Sequence, residues 1–348
     1  MNIQEAAEIL EQHIRRSGLK AGDRYITAKD AGKLLGKSVM TAQRAMTLLA
    51  QRKLLERRPK AGTFIAKSAI SGPDLKCVHI LLPEQFTDGE SFWEQVHTEI
   101  GGMKSVLPHL SVQFNFIPNQ DINYTRQIVD KARDAGVLSG VIVNLSSRAM
   151  RAYFNASDIP AVIEGNVEMD LKNLSWLSWD QRQTGRVLAE YLIGRGHTRL
   201  ATIMRDIWSI GEHHLHDGVG EAMAAAGLMS NALRIRSTPS ERAATLDLAH
   251  SLLSDKDDFP TGILCRNESQ ADCVREVAQS LGLGERVEVV LCNTPFSNHA
   301  VKYACVVPDL DGRERGRIIG EMLRDQMENK FAPARGCLVG VRLRHADN

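Results

Sequence analysis

The sequence of 348 residues lacks any long uninterrupted apolar run. A membrane-spanning helix needs about 20 consecutive apolar residues, and a secretory signal needs an apolar core behind a basic start. The first residues, MNIQEAAEILEQHIRRSG, mix charged and apolar positions instead. We therefore expect a cytoplasmic protein that has no membrane partner.

Metal-site spacings are also missing. The histidine-rich stretch His213, His214, His216 and Asp217 has neither cysteine nor HExxH support, which favours a solvated or helix-capping role. The cysteines show no CxxC or Cys/His spacing, and most lie in or beside apolar runs, where a thiol packs as a small hydrophobic group. They are Cys77, Cys265, Cys273, Cys292, Cys305 and Cys337. We expect reduced cysteines, no metal and no cofactor.

Nucleotide-binding and nucleophile motifs are absent as well. A dinucleotide-binding domain would carry GxGxxG directly after its first strand, but this chain has Pro83-Glu84-Gln85-Phe86 there. Neither a P-loop GxxxxGK[ST] nor a GxSxG nucleophile motif occurs. Because no catalytic constellation stands out, we do not expect an enzyme.

Charge is distributed unevenly along the chain. The first 67 residues hold 14 Lys and Arg against 6 Asp and Glu, whereas the remainder holds 29 against 36. A basic segment of about +8 thus precedes an acidic body of about −7, although the whole chain carries only +1. A compact basic module suits a polyanion, because each neutralised phosphate releases counterions. Nucleic acid is the leading partner hypothesis, and a merely solvated positive surface is the alternative.

The basic segment has the pattern of three helices and a hairpin. Thr27 and Ser38 can cap the second and third helices, and Gly36 can end the second in a left-handed conformation. Two strands, 54–58 and 63–66, follow around a turn at 59–62. Apolar residues at steps of three and four predict the inward faces. These are Ile3, Ala6, Ala7, Leu10 and Ile14, then Ala31, Leu34 and Leu35, then Ala42, Ala45, Met46 and Leu49. The pattern predicts a helix-turn-helix with a small wing; a hairpin that only covers the helices is the alternative.

The stretch GDRYITAKDAGKLLGKSVMTAQRAMTLLAQRKLLERRPKAGTFIA resembles the winged helix-turn-helix of GntR-type transcription regulators. The resemblance covers residues 2 to 66 and implies that the start of the third helix enters the major groove of DNA while the wing approaches the minor groove. The candidate DNA contacts are the residues that the resemblance implies, together with two basic residues of the wing, Arg57 and Arg58. They are Arg24, Lys29, Ser38, Val39, Thr41, Gln43, Arg44, Arg57, Arg58, Lys60 and Gly62.

This stretch departs from the family pattern at the reading positions. Val39 and Gln43 stand where the family usually has Arg, Arg44 replaces a usual Glu, and Ile26-Thr27 replaces Pro-Ser. Gln43 can pair with adenine and Val39 can contact a thymine methyl group. We therefore expect an operator half-site that leans towards A·T pairs.

In the body, short β-rich runs alternate with helical stretches, which predicts parallel sheets covered by helices on both faces. About nine strands are too many for one small sheet, and NLSWLSWDQ interrupts the alternation. The predicted fold class is α/β, with an N-terminal winged helix-turn-helix and a two-lobed, doubly wound domain. We divide the chain into a head at 1–67, a linker at 68–75 and an effector and dimerisation domain at 76–348. Lobe one takes about 76–175 plus 305–332, and lobe two about 176–304 plus 333–348.

From Ser178 onward the body resembles the effector-binding domain of LacI-type regulators, which shares its fold with periplasmic sugar-binding proteins. The resemblance is carried by WDQRQTGRVLAEYLIGRGHTRLATI, DGVGEAMAAAGL, TGILCRNESQADCVREVAQSLGL, VEVVLCN and DLDGRERGRIIGEML. Residues 76 to 175 match more loosely. A GntR-type head on a LacI-type body is an arabinose-repressor-like arrangement, known among sugar-responsive repressors.

Ligands of open parallel sheets bind beyond the carboxyl ends of the strands, which selects the effector-binding candidates. Aromatic faces suit the apolar side of a sugar, and carboxylates or amides suit its hydroxyls. The candidates are Phe86, Phe92, Trp93, Asn144, Glu164, Asn166, Asp180, Trp208, Glu268 and Asn293.

Several of these candidates have a structural alternative. Asp180 and Gln183 have capping-box spacing, and Phe92 with Trp93 can pack a helix on the sheet. Glu268 replaces a usual Asp at a helix start, where an acid is favourable in any case. The usual ligand-binding Arg of LacI-type domains falls on Leu215, so His214, His216, Arg205 or Arg236 would have to compensate.

Together these features predict a homodimeric repressor that binds double-stranded operator DNA and responds to a small-molecule effector, a carbohydrate. Two-fold symmetry of a dimer predicts a pseudo-palindromic operator. A cytoplasmic sugar-binding protein and an α/β sugar-acting enzyme with an accessory basic head are the alternatives.

Overall fold

The computed structural model describes most of the chain as two compact units, Met1–Leu75 and Lys76–Asn348. The described residues are 2–17, 19, 22–52, 54–58, 61–66, 76–84, 90–206, 208–239, 241–255, 257–292, 301–329 and 332–347. The side chains at 12, 15, 16 and 90–92 lie outside this description.

The first unit consists of three helices followed by an antiparallel hairpin, in the order predicted from the sequence. Thr27 and Ser38 cap the second and third helices through their side chains, and Gly36 ends the second at φ +60°. The elements are α1 (Ile3–Arg16), α2 (Ala28–Leu35), α3 (Val39–Gln51), β1 (Leu55–Arg58) and β2 (Gly62–Ile65). Local capping therefore sets both ends of α2 and the start of α3.

The predicted inward face of the first unit is largely buried. Residues of all three helices and both strands share one apolar core, in which Leu10, Ala42 and Leu49 have no exposed surface. Ile3 and Leu34 are corrections, because they are 39% and 45% exposed. Ile3 is the first residue of α1, and Leu34 turns away from the core beside the buried Leu35.

The second unit is built from two six-stranded sheets, each covered by helices on both faces. Lobe one has the strand order β13-β7-β6-β5-β3-β4, and lobe two has β14-β12-β11-β10-β8-β9. Among the described strands of these two sheets, only β14 runs antiparallel to its neighbour. The strands and helices of lobe one are β3 (Lys76–Pro83), α4 (Glu90–Val106), β4 (Leu110–Ile117), α5 (Ile122–Asp134), β5 (Gly140–Asn144), α6 (Arg148–Ala156), β6 (Ala161–Glu164), β7 (Ser175–Trp179), α11 (Gly312–Glu328) and β13 (Gly336–Val339). Those of lobe two are α7 (Gln181–Gly194), β8 (Leu200–Arg205), α8 (Ile210–Ala225), β9 (Leu233–Thr238), α9 (Arg242–Leu253), β10 (Gly262–Cys265), α10 (Glu268–Ser280), β11 (Glu288–Leu291), β12 (Ala304–Pro308) and β14 (Val341–Arg344).

Alternating side chains of each strand explain this layering. In β3, Ile80 and Leu82 pack towards α4 and α11, whereas Leu81 packs towards α5 and α6 on the opposite face. Lobe two repeats the arrangement, with α7 and α8 on one face and α9 and α10 on the other. Strands buried on both faces read as continuous apolar runs, which is why the sequence indicates parallel sheets.

The predicted lobe boundaries need three corrections. Residues 176–179 belong to lobe one, because β7 pairs with β6 and β13. Residues 305–308 belong to lobe two, where β12 pairs with β11 and β14. Residues 336–339 return to lobe one as β13, so the tail GCLVGVRLR forms two strands in different sheets. The NLSWLSWDQ segment is thus an inner strand of lobe one, and not an irregular break.

The chain passes between the lobes three times, and the three crossings lie side by side. The backbone amide of Asp180 donates to the carbonyl of Val339 at 2.8 Å, and the amide of Asp309 donates to that of Gly340 at 2.9 Å. The side chain of Gln183 accepts from the amide of Val341 at 3.0 Å. Hydrogen bonds therefore connect all three crossings.

Glycines let two pairs of helices approach closely. A Cβ atom at Gly102 of α4 would lie 1.9 Å from the carbonyl oxygen of Arg313 in α11. In lobe two, a Cβ atom at Gly218 of α8 would lie 1.9 Å from the carbonyl oxygen of Arg182 in α7. Both helix pairs thus depend on a residue without a side chain.

The six cysteines are all unpaired, and four are fully buried. No helix among the described residues combines the length and the apolar character needed to cross a bilayer.

We expect Gly218→Ala to lower the free energy of unfolding by about 1–3 kcal/mol, because the added methyl group overpacks the α7–α8 contact. Gly220→Ala is a matched control on the same helix, since its Cβ meets no atom within 4 Å. That change should stabilise the helix by about 0.5–1 kcal/mol. Urea denaturation of both variants checks the pair, and equal midpoints would contradict the close helix contact.

Candidate functional site

A cavity of about 180 Å³ lies between the two lobes. It would hold roughly six water molecules at about 30 Å³ each, or one compact small molecule. Strands β3, β5, β6 and β7 and helices α4 and α11 line it from lobe one. Its polar lining residues are Gln95, Glu99, Asn144, Glu164, Asn166, Ser178, Gln181, Arg205, Ser209, Arg266 and Arg315. Apolar lining comes from residues such as Ile80, Leu82, Val96, Met103, Ile142, Leu177, Trp179 and Ile319.

On the lobe-one wall, Arg315 joins two buried carboxylates. Its Nη1 lies 3.0 Å from Glu99 Oε1, and its Nη2 lies 3.3 Å from Glu164 Oε1. Glu164 also accepts a hydrogen bond from Asn144 at 2.9 Å, and Glu99 accepts one from Gln95 at 2.8 Å. All three charged side chains are at most 10% exposed, so their pairing operates with little screening by water.

Glu99 has a strongly perturbed acidity. Burial and the nearby negative charge of Glu164 raise the pKa of Glu99 to about 7, against the opposing effect of Arg315. Two carboxylates that share one guanidinium disfavour simultaneous ionisation. This wall therefore holds a carboxyl group that changes charge near neutral pH.

On the lobe-two wall, Glu212 lies between two arginines. Its Oε1 is 3.8 Å from Arg205 Nη2 and 3.7 Å from Arg266 Nε. Its other oxygen accepts from the backbone amide of Ser209 at 3.0 Å, which closes the capping box of α8. Arg266 also donates from Nη1 to Gln181 Oε1 at 3.1 Å.

The backbone beside the cavity is strained at one point. Leu145, which follows Asn144 and lines the cavity, has φ +42°. Non-glycine residues rarely adopt this left-handed conformation, and such residues concentrate at binding sites.

Across the cavity, a Cβ atom on Gly211 would lie 3.0 Å from Asn166 Nδ2. The lobes therefore approach each other closely at Asn166.

Three of the effector-binding candidates line the cavity. They are Asn144 and Glu164, the last residues of β5 and β6, and Asn166, two residues after β6, all at the carboxyl edge of the lobe-one sheet. Their positions agree with the geometry expected for ligands of parallel sheets.

Four other candidates do not line this cavity. The carboxylate of Asp180 caps α7 by accepting from the amide of Gln183 at 2.8 Å. Trp93 packs edge-on against Phe114 and Phe116, with ring centroids 5.2 and 6.5 Å away. The packing and capping alternatives thus describe both residues.

Trp208 and Glu268 also have other partners. The Trp208 ring stacks on His216 at 5.0 Å with an interplanar angle of 7°. Glu268 is the first residue of α10 and forms an ion pair with Lys302 at 3.4 Å. The remaining candidates Phe86 and Asn293 lie outside the described residues, as does the side chain of Phe92.

Other polar residues of the cavity escaped the sequence predictions. Arg266 stands directly after β10, so its position at a strand end was a usable signal. Glu99 and Arg315 lie on helices and reach the cavity only through the α4–α11 contact, for which the sequence carries no local sign. Leu215, where a LacI-type domain usually has Arg, is fully buried in the lobe-two core.

In the first unit, the candidate DNA contacts lie on the surface. Apart from the half-buried Thr41, each described candidate is exposed: Arg24, Lys29, Ser38, Val39, Gln43, Arg44, Arg57, Arg58 and Gly62. Lys60 lies outside the described residues.

Specific contacts connect the hairpin with this helical surface. Arg57 donates to the backbone carbonyl of Gln43 at 3.2 Å, which connects β1 with α3. Gly62 has φ +116°, and the absence of a side chain there leaves room for Arg24. A Cβ atom at Gly62 would lie 3.1 Å from Arg24 Nε. Arg58 stacks its guanidinium over Phe64 at 4.5 Å. The hairpin therefore contacts the third helix through Arg57 and the segment before the second helix through Gly62.

A model of periplasmic binding protein-like domains matches residues 189–345. The structure of the transcriptional regulator CelR in complex with cellobiose is similar at 17% identity and a TM-score of 0.66, covering 89% of this chain and 92% of that one. A LacI family regulator from Enterococcus faecium with bound ribose aligns at 16% identity and a TM-score of 0.60, covering 78% and 97%. A regulatory protein of the LacI family from Chloroflexus aggregans aligns at 19% identity and a TM-score of 0.64, again covering 78% and 97%. No curated protein sequence matches the chain. These likenesses confirm the two-lobed, periplasmic-binding-protein-like fold.

We expect Glu99 to make stability depend on pH. Between its ordinary pKa of 4.5 and about 7, the folded protein holds a proton on Glu99 that the unfolded chain releases. The free energy of unfolding should therefore fall as pH rises through this window, and Glu99→Gln should lack this contribution. Urea denaturation from pH 5 to 8 should show the unchanged protein losing stability relative to Glu99→Gln.

The exposed Glu190→Gln serves as the control for this measurement. A stability difference between Glu99→Gln and the unchanged protein that stays constant with pH would show that Glu99 does not titrate in this range.

Proposed function

We propose that this protein is a ligand-responsive transcription regulator, a homodimeric repressor whose affinity for operator DNA is controlled by a sugar bound between the two lobes. The observation that carries the proposal is the interlobe cavity, lined by carboxylates, amides and guanidiniums, in a chain that also carries a basic three-helix unit with a hairpin. A regulator of this kind acts in the cytoplasm, where its operator lies.

The first unit supports the DNA-binding part. Its charge of about +7 is sufficient for phosphate contacts, and α3 exposes Val39, Gln43 and Arg44 on its first two turns. In a GntR-type winged helix-turn-helix, this part of the helix would lie in the major groove. Arg57 and Arg58 on β1 would then approach the phosphates beside it.

The second unit supports the effector part. Asn144, Glu164 and Asn166 present amide and carboxylate groups beside an apolar floor that includes Trp179, a combination suited to a sugar. Structures of similar fold were determined with cellobiose and with ribose. A carbohydrate is therefore the effector class that fits this cavity best.

Regulation requires the effector to favour one arrangement of the lobes. A ligand that bound open and closed lobes equally would shift nothing, however tightly it bound. Because the cavity has walls from both lobes, a ligand that contacts both favours the closed arrangement. In a homodimer, this change would alter how two first units match two operator half-sites.

The proposal is tested with the full-length protein in three assays. Gel shifts on fragments of its own genome should show binding that weakens as salt rises. Thermal-shift screening should identify a sugar that raises the apparent melting temperature, and that sugar should change the gel shift. Turnover of the same sugar without DNA binding would instead favour the enzyme alternative.

Gln43 and Arg57 should contribute differently to DNA recognition. Gln43→Ala should cost about 1–3 kcal/mol of binding free energy and relax the preference at one base pair. Arg57→Ala should weaken binding to all sequences alike and reduce the salt slope by about one. Selection from random DNA and salt titrations measure both effects.

Lys33→Ala removes an exposed charge from α2 at a position outside the predicted contacts, so it is the matched control. If Gln43→Ala weakened binding to every sequence equally, α3 would not be the element that reads the bases.

A further inference from the structure

The lobe-one wall of the cavity has its carboxylates already paired. Glu99 Oε1 forms an ion pair with Arg315 and accepts a hydrogen bond from Gln95, and Glu164 accepts from Arg315 and from Asn144. Each carboxylate can still accept from a ligand hydroxyl, since two oxygens offer about four lone-pair sites. The wall therefore accommodates a neutral polar group without requiring a cation.

The lobe-two wall has the opposite ratio of charges. Two arginines face one glutamate there, whereas on the lobe-one wall one arginine, whose Nε also lacks a hydrogen-bond partner among the described residues, faces two glutamates. Arg205 Nη2 lies 3.8 Å from Glu212 Oε1, beyond hydrogen-bond distance, and Arg266 Nε is buried without a hydrogen-bond partner within the described part of the chain. Glu212 approaches both arginines only at 3.7–3.8 Å with one oxygen, while the other oxygen serves Ser209. Arg266 also donates to Gln181, which is neutral.

The charges on this wall do not balance either. Two guanidiniums share the single carboxylate of Glu212, and their side chains are only 28% and 12% exposed. Burial and the positive charge of Arg266 lower the pKa of Arg205 to about 10. Partly buried charges that lack full pairing are unfavourable, so within the described residues that line it this wall is short of one anionic acceptor.

We propose that the effector is an acidic sugar, whose carboxylate or phosphate group binds Arg205 and Arg266 while its hydroxyls contact Asn144 and Glu164. Guanidinium groups bind such oxyanions through paired, charge-assisted hydrogen bonds. The two ends of this ligand contact different lobes, so it holds them together. The inference rests on the proposed function and narrows its effector from carbohydrates in general to carbohydrates that carry an anionic group.

The test uses matched pairs of neutral and acidic sugars with the full-length protein. Thermal shift and calorimetry compare glucose with gluconate, glucuronate and glucose 6-phosphate, galactose with galacturonate, and ribose with ribose 5-phosphate. We expect an acidic member to bind and its neutral partner to bind far more weakly. Comparing the sugar acids with the sugar phosphates identifies which oxyanion the site takes.

Variants assign the binding to the two arginines. Arg205→Gln and Arg266→Gln should each weaken binding of the acidic sugar about 10- to 100-fold, because each removes a charge-assisted contact. Arg205→Lys retains the charge without the planar fork, so its affinity for the acidic sugar should lie between the affinities of the unchanged protein and of Arg205→Gln. Arg186→Gln, at an exposed position on α7 outside the cavity lining, is the control and should leave the affinity unchanged. Circular dichroism and gel shifts verify that each variant folds and still binds DNA.

The outcomes separate this inference from the function on which it rests. Equal binding of neutral and acidic sugars, or an acidic sugar whose affinity survives both Gln variants, would overturn the inference while leaving a sugar-responsive regulator. Absence of binding by every sugar, in a protein that still binds DNA, would overturn it too. If the unchanged protein bound neither a sugar nor DNA in a salt-sensitive manner, the proposed function itself would be refuted.

Discussion

Arg315 extends from α11 between Glu99 of α4 and Glu164 at the end of β6, and the lobe-one wall of the cavity depends on this buried ion cluster. The cluster forms only because the two helices approach closely. Gly316, the next residue, would place a Cβ 1.9 Å from the carbonyl oxygen of Glu99. Removing one member of a buried cluster leaves an uncompensated charge, which is more damaging than losing a surface ion pair. Packing of two helices and the charge pattern of the cavity are therefore coupled.

The parts of the fold that could be predicted are those set by local chemistry. Thr27 and Ser38 cap the starts of α2 and α3, and Gly36 ends α2. Each does so through hydrogen bonds within one helical turn, so the neighbouring sequence is enough to place these boundaries. The alternation of apolar runs with helices likewise indicates two covered parallel sheets. By contrast, β7 has the sequence SWLSW, and its two serines interrupt the apolar run that is typical of a strand lying between two neighbouring strands. The passage of β12 and β13 into opposite sheets depends on long-range pairing, which no local pattern records.

The cavity was predictable to a similar extent. Asn144, Glu164 and Asn166 stand at or just after the carboxyl ends of strands, and the edge of a parallel sheet brings such residues together wherever the helices lie. Glu99 and Arg315 come from two helices more than 200 positions apart in the chain, so only the assembled lobe reveals their pairing. The aromatic candidates were the weakest predictions, because a tryptophan after a strand can equally pack on its neighbours. Trp93 and Trp208 do so, against phenylalanines and a histidine.

The three adjacent crossings at Asp180, Asp309 and Gly340 restrict how the lobes can move. Three parallel connections joined by hydrogen bonds resist sliding and twisting, which leaves rotation about one hinge axis as the softest motion. A Cβ atom at Gly340 would lie 2.5 Å from Asp309 Oδ2, so a side chain at this crossing would displace the neighbouring carboxylate. The opening of the two lobes is then described by a single angle, and any molecule seated between them acts on the rest of the protein by setting that angle.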